Sequence, residues 1–328
     1  TSVGFGQQGS SKIDAAKLTM FAPLPDAIPA TSTATEDQIN LGRMLFYETR
    51  LSRSQKISCN SCHMLDKYGV DGQPTSDGYK GQKGDRNSPT VYHASGHFVQ
   101  FWDGRAADVE AQAKGPVLNP VEMAMPSARQ VIAVLESMPE YVAAFTKAFP
   151  RDKDPVTYDN MGKAIGAFER KLVTPARWDK FLKGDQAALT DQEKTGLNRF
   201  MAAGCQNCHS GVLLGGNMYR RMGVMKAYPD QSDLGRAKVT KADADKMAFK
   251  VPSLRNIEKT GPYFHNGKVE AIEEAVAQMA DYQTGKRLSP ADAKLIATFL
   301  KTLTGELPTE YIKQPKLPRS TPATPKPE

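Results

Sequence analysis

Two short motifs hold all four cysteines of the chain: Cys59-Asn60-Ser61-Cys62-His63 and Cys205-Gln206-Asn207-Cys208-His209. A Cys-x-x-Cys-His spacing is the attachment signature of c-type haem, in which both thiols form thioethers and the histidine binds the iron. The two cysteines lie about one helical turn apart, which presents both sulfurs to one edge of the porphyrin. The sequence therefore predicts two covalently attached haem c groups.

Two other chemistries also use paired cysteines. Two Cys-x-x-Cys pairs can form a zinc site, and one pair can act as a thioredoxin-like redox centre. Both alternatives are disfavoured because a histidine follows each pair and the two pairs lie far apart in the chain. Thioether attachment of haem takes place outside the cytosol. The motifs therefore also predict an exported, periplasmic protein whose signal peptide is absent from this chain.

Composition favours an ordinary soluble globular protein of two domains. The chain has 328 residues, of which 40% are hydrophobic and 24% charged. The 43 basic and 36 acidic residues give a net charge of +7, but the basic residues are scattered and match no nucleic-acid-binding motif. No apolar run approaches the roughly 18 residues of a transmembrane helix. Neither a nucleic-acid partner nor a membrane span is expected.

Apolar periodicity and capping residues predict a mostly α-helical protein. The capping box Thr190–Glu193 begins a helix that leads into the second haem motif, and Ser289-Pro290 begins another that we expect to end at Gly305. A third helix is expected to begin near Asp159. Further helices are predicted over residues 41–47, 128–137 and 141–149.

Two stretches of the chain are related at a constant offset of 163 residues. Pro89 lies 13 residues before Trp102, and Pro252 lies 13 residues before His265. The segments around Trp102 and His265 share an aromatic residue, an acid or amide, a glycine and a base in the same order. The predicted fold is therefore mostly α, with two cytochrome c-type haem domains related by internal duplication.

The duplication divides the chain into four parts. Residues 1–20 are predicted to form an N-terminal extension, 21–168 the first haem domain and 169–307 the second haem domain. Residues 308–328 contain six prolines and few apolar residues. We expect them to form an extended tail outside any core.

The same offset of 163 residues aligns the positions that could supply the second axial ligand of each iron. Met279 lies 14 residues after His265 and is the candidate thioether ligand of the second haem, although a methionine on an amphipathic segment is more often part of a core. The residue opposite it in the first domain is Pro116, and proline cannot bind iron. An open first haem and a closed second haem predict catalysis at the first and electron supply through the second.

Four further segments resemble the bacterial dihaem cytochrome c peroxidases, over roughly residues 20–305: Leu41–Tyr47, Asn87–Val91, Gln100–Arg105 and Gly261–Gly267. The resemblance implies reduction of hydrogen peroxide to water with electrons from a small donor cytochrome c. It implies a low-potential, peroxidatic haem in the N-terminal domain and a high-potential His/Met haem in the C-terminal domain. Members of this family are typically homodimers.

The resemblance also implies roles for individual residues. Glu122 matches the distal acid/base, Gln112 the distal amide, and Trp102 the tryptophan between the two haems. A glutamate near an open iron can carry the proton that peroxide cleavage requires. Without the resemblance, Glu122 would be interpreted as a solvated charge and Trp102 as a core aromatic residue.

A calcium site follows from the same resemblance. Asn87, with the carbonyls of Thr260 and Pro262, matches its ligands, and hard oxygen ligands suit calcium. His265 matches a structural histidine at the edge of the second haem and is not expected to be a ligand.

One position departs from the family pattern. Tyr79 stands eight residues before Asn87, where relatives usually carry a distal histidine, and the glycine-rich segment Gly69–Gly84 contains no histidine. We expect His93 to cap the resting first iron; His97 as the cap, or His93 as a surface histidine, are the alternatives. This departure resembles the MacA-type branch of the family.

Two other functions remain open. A plain electron shuttle of a respiratory chain would have both irons six-coordinate, and a histidine at the first iron would favour it. A dihaem enzyme that oxidises tryptophans of a partner protein would use a tyrosine in place of the axial methionine. Tyr282 is near this position, but Met279 is in register.

Overall fold

The structure is a computed structural model that describes residues 11–26, 28 and 33–328. Helices dominate these residues, and the sheet they contain has two short strands. The predicted mostly α-helical class is therefore confirmed. No helix in the described residues is long and apolar enough to cross a membrane.

The helices include every one predicted from the sequence. In chain order they are α1 (Ala15–Leu18), α2 (Glu36–Phe46), α3 (Cys59–Cys62), α4 (Val109–Leu118), α5 (Ala128–Glu136), α6 (Pro139–Ala148), α7 (Tyr158–Glu169), α8 (Arg177–Leu182), α9 (Asp191–Ala203), α10 (Ala237–Thr240), α11 (Ile272–Met279), α12 (Pro290–Lys301) and α13 (Thr309–Ile312). Strands β1 (Tyr219–Arg221) and β2 (Ala248–Lys250) pair antiparallel, with Arg220 opposite Phe249. A π-helical turn, Ala280–Thr284, follows α11 directly.

The chain folds into two compact units, each with one haem motif. The Cys59 unit consists of Asp26–Ser95, Ala106–Val173 and Leu307–Glu328. The Cys205 unit consists of Gly96–Arg105, Thr174–Glu306 and the described residues of Thr1–Pro25. These boundaries differ from the predicted ones: the segment that carries Trp102 belongs to the Cys205 unit, and the C-terminal tail belongs to the Cys59 unit. The limits predicted after residues 20 and 168 lie after residues 25 and 173.

The core of the Cys59 unit forms where α2 packs against α7. Thr35 and Gln38 form a capping box that begins α2, which buries Phe46 completely. The two helices approach closely because Gly42 has no side chain, and a Cβ at this position would overlap the backbone oxygen of Ala164. A larger residue at Gly42 would push α2 away from α7.

The Cys205 unit has the same type of helix pair, formed by α9 and α12. The capping box Thr190–Glu193 that begins α9 is confirmed. A Cβ on Gly196 would overlap the backbone oxygen of Leu295, so glycine again permits the close approach. In both helix pairs a Cβ on the glycine would also come close to the Cβ of a phenylalanine. This phenylalanine lies four residues after the residue whose backbone oxygen is overlapped, and it is Phe168 in α7 and Phe299 in α12.

The helix that begins after Ser289 ends earlier than predicted. Ser289 caps α12 as expected, but the last helical residue is Lys301. Gly305 lies beyond the helix, where a Cβ would overlap the backbone oxygen of Thr174. Gly305 is therefore required by close packing and not by helix termination.

The prediction that residues 308–328 lie outside any core is wrong. Ile312 is 7% exposed and belongs to the core of the Cys59 unit. The Tyr47 hydroxyl donates to the backbone oxygen of Ile312, and the Arg50 guanidinium donates to that of Pro318. An extended proline-rich chain does not pair its own carbonyls, so these can accept hydrogen bonds from a neighbouring surface.

The predicted N-terminal extension is also packed, as far as it is described. Residues 1–10 lie outside the described residues, whereas Ile13 and Leu18 pack against the core of the Cys205 unit. The Asn198 side chain donates to the backbone oxygen of Lys12 at 3.0 Å. This segment therefore belongs to the Cys205 unit.

Candidate active site and haem sites

An open cavity lies beside the first haem motif in the Cys59 unit, with about 800 Å³ of free space that includes open solvent. Cys59, Cys62 and His63 form one part of its wall, and Gln112 and Glu122 form another. The structure thus brings the two residues predicted for peroxide chemistry to the motif predicted to hold the first haem.

His63 is held in the state that binds iron. Its Nδ1 lies 3.3 Å from the backbone oxygen of Gly69, an arrangement that places the ring proton on Nδ1 and the free lone pair on Nε2. Burial lowers the pKa of His63, so the ring is neutral at physiological pH. Both features fit an axial haem ligand.

The cysteines beside His63 are free thiols. All four cysteines of the chain are unpaired. Burial raises the pKa of Cys59 to about 12, so this thiol is neutral before any group is attached. Two cysteines without a disulfide, next to a neutral imidazole and an adjoining cavity, fit haem attachment.

Glu122 is positioned by the loop that follows α4. The Asn119 side-chain amide donates to Glu122 Oε1 at 2.7 Å, and the Tyr79 backbone amide donates to the Glu122 backbone oxygen at 2.8 Å. Gly78 allows the chain around Tyr79 to come this close, because a Cβ there would overlap the backbone oxygen of Val121. Glu122 is thus a fixed residue of the cavity wall and not a solvated surface charge.

Gln112 and Pro116 lie one turn apart in α4, and both border the cavity. Asp108 begins α4 by accepting a hydrogen bond from the Ala111 backbone amide at 2.7 Å. The Gln112 side chain offers a hydrogen-bonding amide, whereas Pro116 offers no metal-binding atom. This helix therefore contributes a polar group to the wall and no iron ligand.

The histidine predicted to cap the first iron does not border this cavity. His93 is fully buried elsewhere in the Cys59 unit, and its backbone amide donates to the Leu172 oxygen at 2.9 Å. His97 belongs to the Cys205 unit, where its Nδ1 lies 2.8 Å from Lys250 Nζ. Of the histidines that the structure describes, only His63 borders the cavity. The arrangement does not support His93 as an iron ligand, and the surface alternative for His93 is wrong because the core encloses it.

Sequence reasoning does not single out Glu169, which borders the same cavity. This residue ends α7 and is 4% exposed. Burial raises the pKa of Glu169 to about 8, so its carboxyl group is largely protonated at neutral pH. In the sequence, Glu169 is an acidic residue that follows the apolar Ile165 and Phe168. Many helices contain this pattern, so it does not indicate a functional residue.

The second haem motif has the same histidine arrangement in the Cys205 unit. His209 Nδ1 lies 3.0 Å from the backbone oxygen of Leu214, and burial lowers the pKa of His209 to about 4. Burial also raises the pKa of Cys205 to about 12. This motif therefore fits a second haem for the same reasons as the first.

Met279 ends α11 in a cluster of methionine and aromatic side chains, here called the Met279 cluster. Its members are Met222, Tyr228, Met247 and Phe249, with Trp102, Phe264, Met279 and Tyr282 packed against them. The π-helical turn begins directly after Met279, and such turns are frequent at functional sites. The structure thus brings both candidate axial residues, Met279 and Tyr282, into one cluster.

Trp102 and His265 contact each other in the Cys205 unit. Their ring centroids are 6.4 Å apart and their planes nearly perpendicular. His265 is 3% exposed and stacks on Phe249 with a centroid distance of 4.2 Å. This environment suits a histidine with a packing role.

The predicted calcium ligands are divided between the units. Asn87 is 7% exposed in the Cys59 unit, and its side-chain amide donates to the backbone oxygen of Gln73 at 2.9 Å. This bond engages the amide nitrogen, so the side-chain oxygen is the atom that can bind a cation. Thr260 and Pro262 belong to the Cys205 unit. The calcium site stays a prediction.

Fold and site together define a dihaem enzyme, and comparison with known proteins identifies its family. A family profile described as di-haem cytochrome c peroxidase matches residues 36–187. The chain is 46% identical to the cytochrome c551 peroxidase of Pseudomonas aeruginosa, over 94% of this chain and 90% of that protein. It is 45% identical to the cytochrome c551 peroxidase of Nitrosomonas europaea, over 91% of this chain and 89% of that protein.

A solved structure supports the same assignment. The crystal structure of a MauG-like protein associated with microbial copper homeostasis matches with a TM-score of 0.78 at 28% identity, over 89% of this chain and 97% of that one. The chain belongs to the di-haem cytochrome c peroxidases. The resemblance inferred from the sequence motifs is confirmed.

Proposed function

We propose that this protein reduces hydrogen peroxide to water at the haem of the Cys59 unit, with electrons that a small cytochrome c delivers to the haem of the Cys205 unit. Each turnover converts one peroxide, two electrons and two protons into two water molecules. The observation that carries the proposal is the cavity shared by the first haem motif, Gln112 and Glu122. The names of the relatives, cytochrome c551 peroxidase, support the same substrate and donor class.

Both haems are attached covalently, through Cys59 and Cys62 in one unit and through Cys205 and Cys208 in the other. Haem, when bound, supplies the redox chemistry of peroxide reduction. The Cys-x-x-Cys-His spacing and the buried neutral imidazoles of both motifs support this attachment.

Glu122 moves a proton during peroxide cleavage. Its carboxylate takes the proton from one peroxide oxygen and returns it to the other, which leaves as water. Asn119 holds the carboxylate through its bond to Oε1. Gln112, from the neighbouring wall, orients the peroxide through its side-chain amide.

Electrons enter through the Cys205 unit. Met279 would bind the iron of the haem in this unit, and its soft thioether would favour ferrous iron and raise the potential. Pro116 leaves the cavity of the Cys59 unit accessible to peroxide. Trp102, which packs against the Met279 cluster, assists electron transfer between the two haems.

The remaining expectations belong to the same proposal. The two units arose by internal duplication, which the matched glycine contacts of α2 with α7 and of α9 with α12 support. The protein works in the periplasm as a homodimer. A calcium ion binds the oxygens of Asn87, Thr260 and Pro262.

Steady-state peroxide consumption with reduced cytochrome c tests the function. We expect Glu122→Gln to lose about 10²–10⁴-fold in turnover, the usual contribution of general acid–base catalysis. The matched control is Glu136→Gln, since Glu136 is exposed in the same unit. Near-normal turnover of Glu122→Gln would contradict the acid/base role. If the parent protein has two low-spin haems and no peroxide turnover, an electron shuttle is favoured. The structure does not support a shuttle in which His93 binds the first iron, because His93 does not border the cavity.

A further inference from the structure

A buried lysine of the Cys205 unit has no carboxylate partner in the described part of the chain. Lys250 ends β2, is 5% exposed, and its Nζ lies 2.8 Å from Nδ1 of His97. Burial lowers the pKa of Lys250 to about 7, and no nearby charge offsets this effect. An ammonium group buried without a counter-charge is costly, because it gives up its hydration and gains no ion pair.

The contact with His97 does not neutralise this charge. When Lys250 is protonated, its ammonium group has three donors and no acceptor, so it donates to Nδ1 and a neutral His97 carries its ring proton on Nε2. In this tautomer His97 is neutral. With Lys250 protonated, the pair carries one positive charge, and the ammonium group still has two N–H donors for another partner.

Lys250 and His97 lie beside the segment that holds the histidine of the second haem motif. The Leu214 backbone oxygen accepts from His209, and two residues further a Cβ on Gly216 would overlap the His97 ring. The Gly216 amide donates to the backbone oxygen of the residue after Lys250 at 2.8 Å. Lys250 and His97 thus lie beside the loop over residues 214–216, and the Leu214 end of this loop accepts from His209.

We propose that Lys250 binds a propionate carboxylate of the haem attached at Cys205 and Cys208, and that His97 is a positioning residue for its ammonium group. This inference rests on the proposed haem attachment. The propionates are the anionic part of a haem, and the adjacent loop accepts from its axial histidine. An ammonium–carboxylate hydrogen bond would supply the counter-charge that Lys250 otherwise lacks.

The lysine also has a consequence for the direction of electron flow. A positive charge next to a haem favours the reduced state over the oxidised state, because the oxidised state carries one more positive charge. Lys250 therefore raises the potential of the haem in the Cys205 unit. Its effect has the same sign as that of a methionine ligand.

The test compares Lys250→Met with Lys250→Arg in the haem-loaded protein. Lys246→Met is the matched control, because Lys246 is exposed and precedes the same strand. In a redox titration we expect Lys250→Met to raise the ratio of oxidised to reduced second haem about tenfold. For a one-electron couple this corresponds to a fall of about 59 mV in the reduction potential. Lys250→Arg and the control should change this ratio less than about threefold. The resonance Raman band of the haem propionates should shift in Lys250→Met and in His97→Phe, and not in the control.

The intact mass, measured first, separates this inference from the proposed function. A chain that carries fewer than two haems contradicts covalent attachment, whatever Lys250 does. With two haems present, an unchanged potential and an unchanged propionate band in Lys250→Met overturn the propionate site. If Lys250→Met does not retain its second haem, the test uses the parent protein and His97→Phe. We expect the propionate band of the parent to shift between H₂O and D₂O. The proposal is overturned if the parent shows no such shift and the band is unchanged in His97→Phe.

Discussion

The backbone amide of Tyr79 donates a hydrogen bond to the backbone oxygen of Glu122 at 2.8 Å. Tyr79 is therefore attached to the proposed acid/base. The Tyr79 hydroxyl also donates to the backbone oxygen of Glu328 at 3.3 Å. One contact to the cavity wall and one to the C-terminal tail hold this segment in place.

We expect the fully oxidised protein to react with peroxide without prior reduction. Among the described residues no histidine besides His63 borders the cavity, so no such ligand has to leave. Turnover started from oxidised and from half-reduced protein should be the same. The opposite outcome is that the parent protein reacts with peroxide only after reduction, whereas His93→Gly reacts without it. That result would establish His93 as the residue that blocks the first iron in the oxidised protein.

Asn119 should act as a positioning residue for Glu122. Its amide donates to Oε1 at 2.7 Å, and a hydrogen bond to a charged group contributes about 1.5–3 kcal/mol. We expect Asn119→Ala to lower the turnover number about tenfold or more with little change in KM. Asn40→Ala, an exposed change in the same unit, is the control. An equal loss in both variants would indicate a general effect on folding.

Met279→His should lower the potential of the haem in the Cys205 unit and leave the other haem unchanged. The reason is that imidazole stabilises ferric iron more than a thioether does. Potentiometric titration followed by optical spectra measures both haems in one experiment. Met225→His is the control, because Met225 is 63% exposed in the same unit. An unaltered high potential in Met279→His would reassign the axial position to another member of the Met279 cluster, such as Tyr282.

Ile312→Ala should destabilise the Cys59 unit by about 2–5 kcal/mol, the usual cost of truncating a buried isoleucine. Ile312 is 7% exposed and packs in the core of that unit, although it lies in the proline-rich tail. Urea unfolding monitored at the first haem measures the change. Lys313→Ala, at the next and exposed position, should stay within about 0.5 kcal/mol of the parent. A similarly small effect of Ile312→Ala would mean that the tail contributes little to the core.

Features set by residues close in sequence were predictable. The haem motifs depend on a five-residue pattern, and the capping boxes depend on a hydrogen bond between Thr190 and Glu193 or its equivalent. The family motifs added Gln112 and Glu122, which the structure brings to the cavity of the first haem motif. Neither residue has a local signal of its own.

Features that depend on distant contacts were not predictable. Gly305 resembles a helix C-cap until the carbonyl of Thr174 is seen against it. The proline-rich tail has the composition of a solvated segment, but Tyr47 and Arg50 donate to its carbonyls. His93 and Lys250 are likewise buried by residues far from them in the chain.

The buried carboxyl group of Glu169 should make the stability of the Cys59 unit depend on pH. Its pKa is raised from 4.5 to about 8 by burial, so between these values the folded protein holds a proton that the unfolded chain has lost. The free energy of unfolding therefore falls as pH rises through this range, and the contribution is constant below about pH 4.5. Glutamine stays neutral, so Glu169→Gln should remove this part of the pH dependence.

Thermal unfolding of the haem-loaded protein at pH 5, 6.5 and 8 measures the effect. We expect the Tm of the parent to fall across this series more than the Tm of Glu169→Gln, so that the variant gains most at pH 8. Glu136→Gln is the control, because an exposed glutamate has nearly the same pKa in the folded and unfolded chain. Parallel Tm curves for the parent and Glu169→Gln would mean that Glu169 is ionised in the folded protein. Its carboxylate would then have to be stabilised at the wall of the haem cavity by a group that binds there with the cofactor.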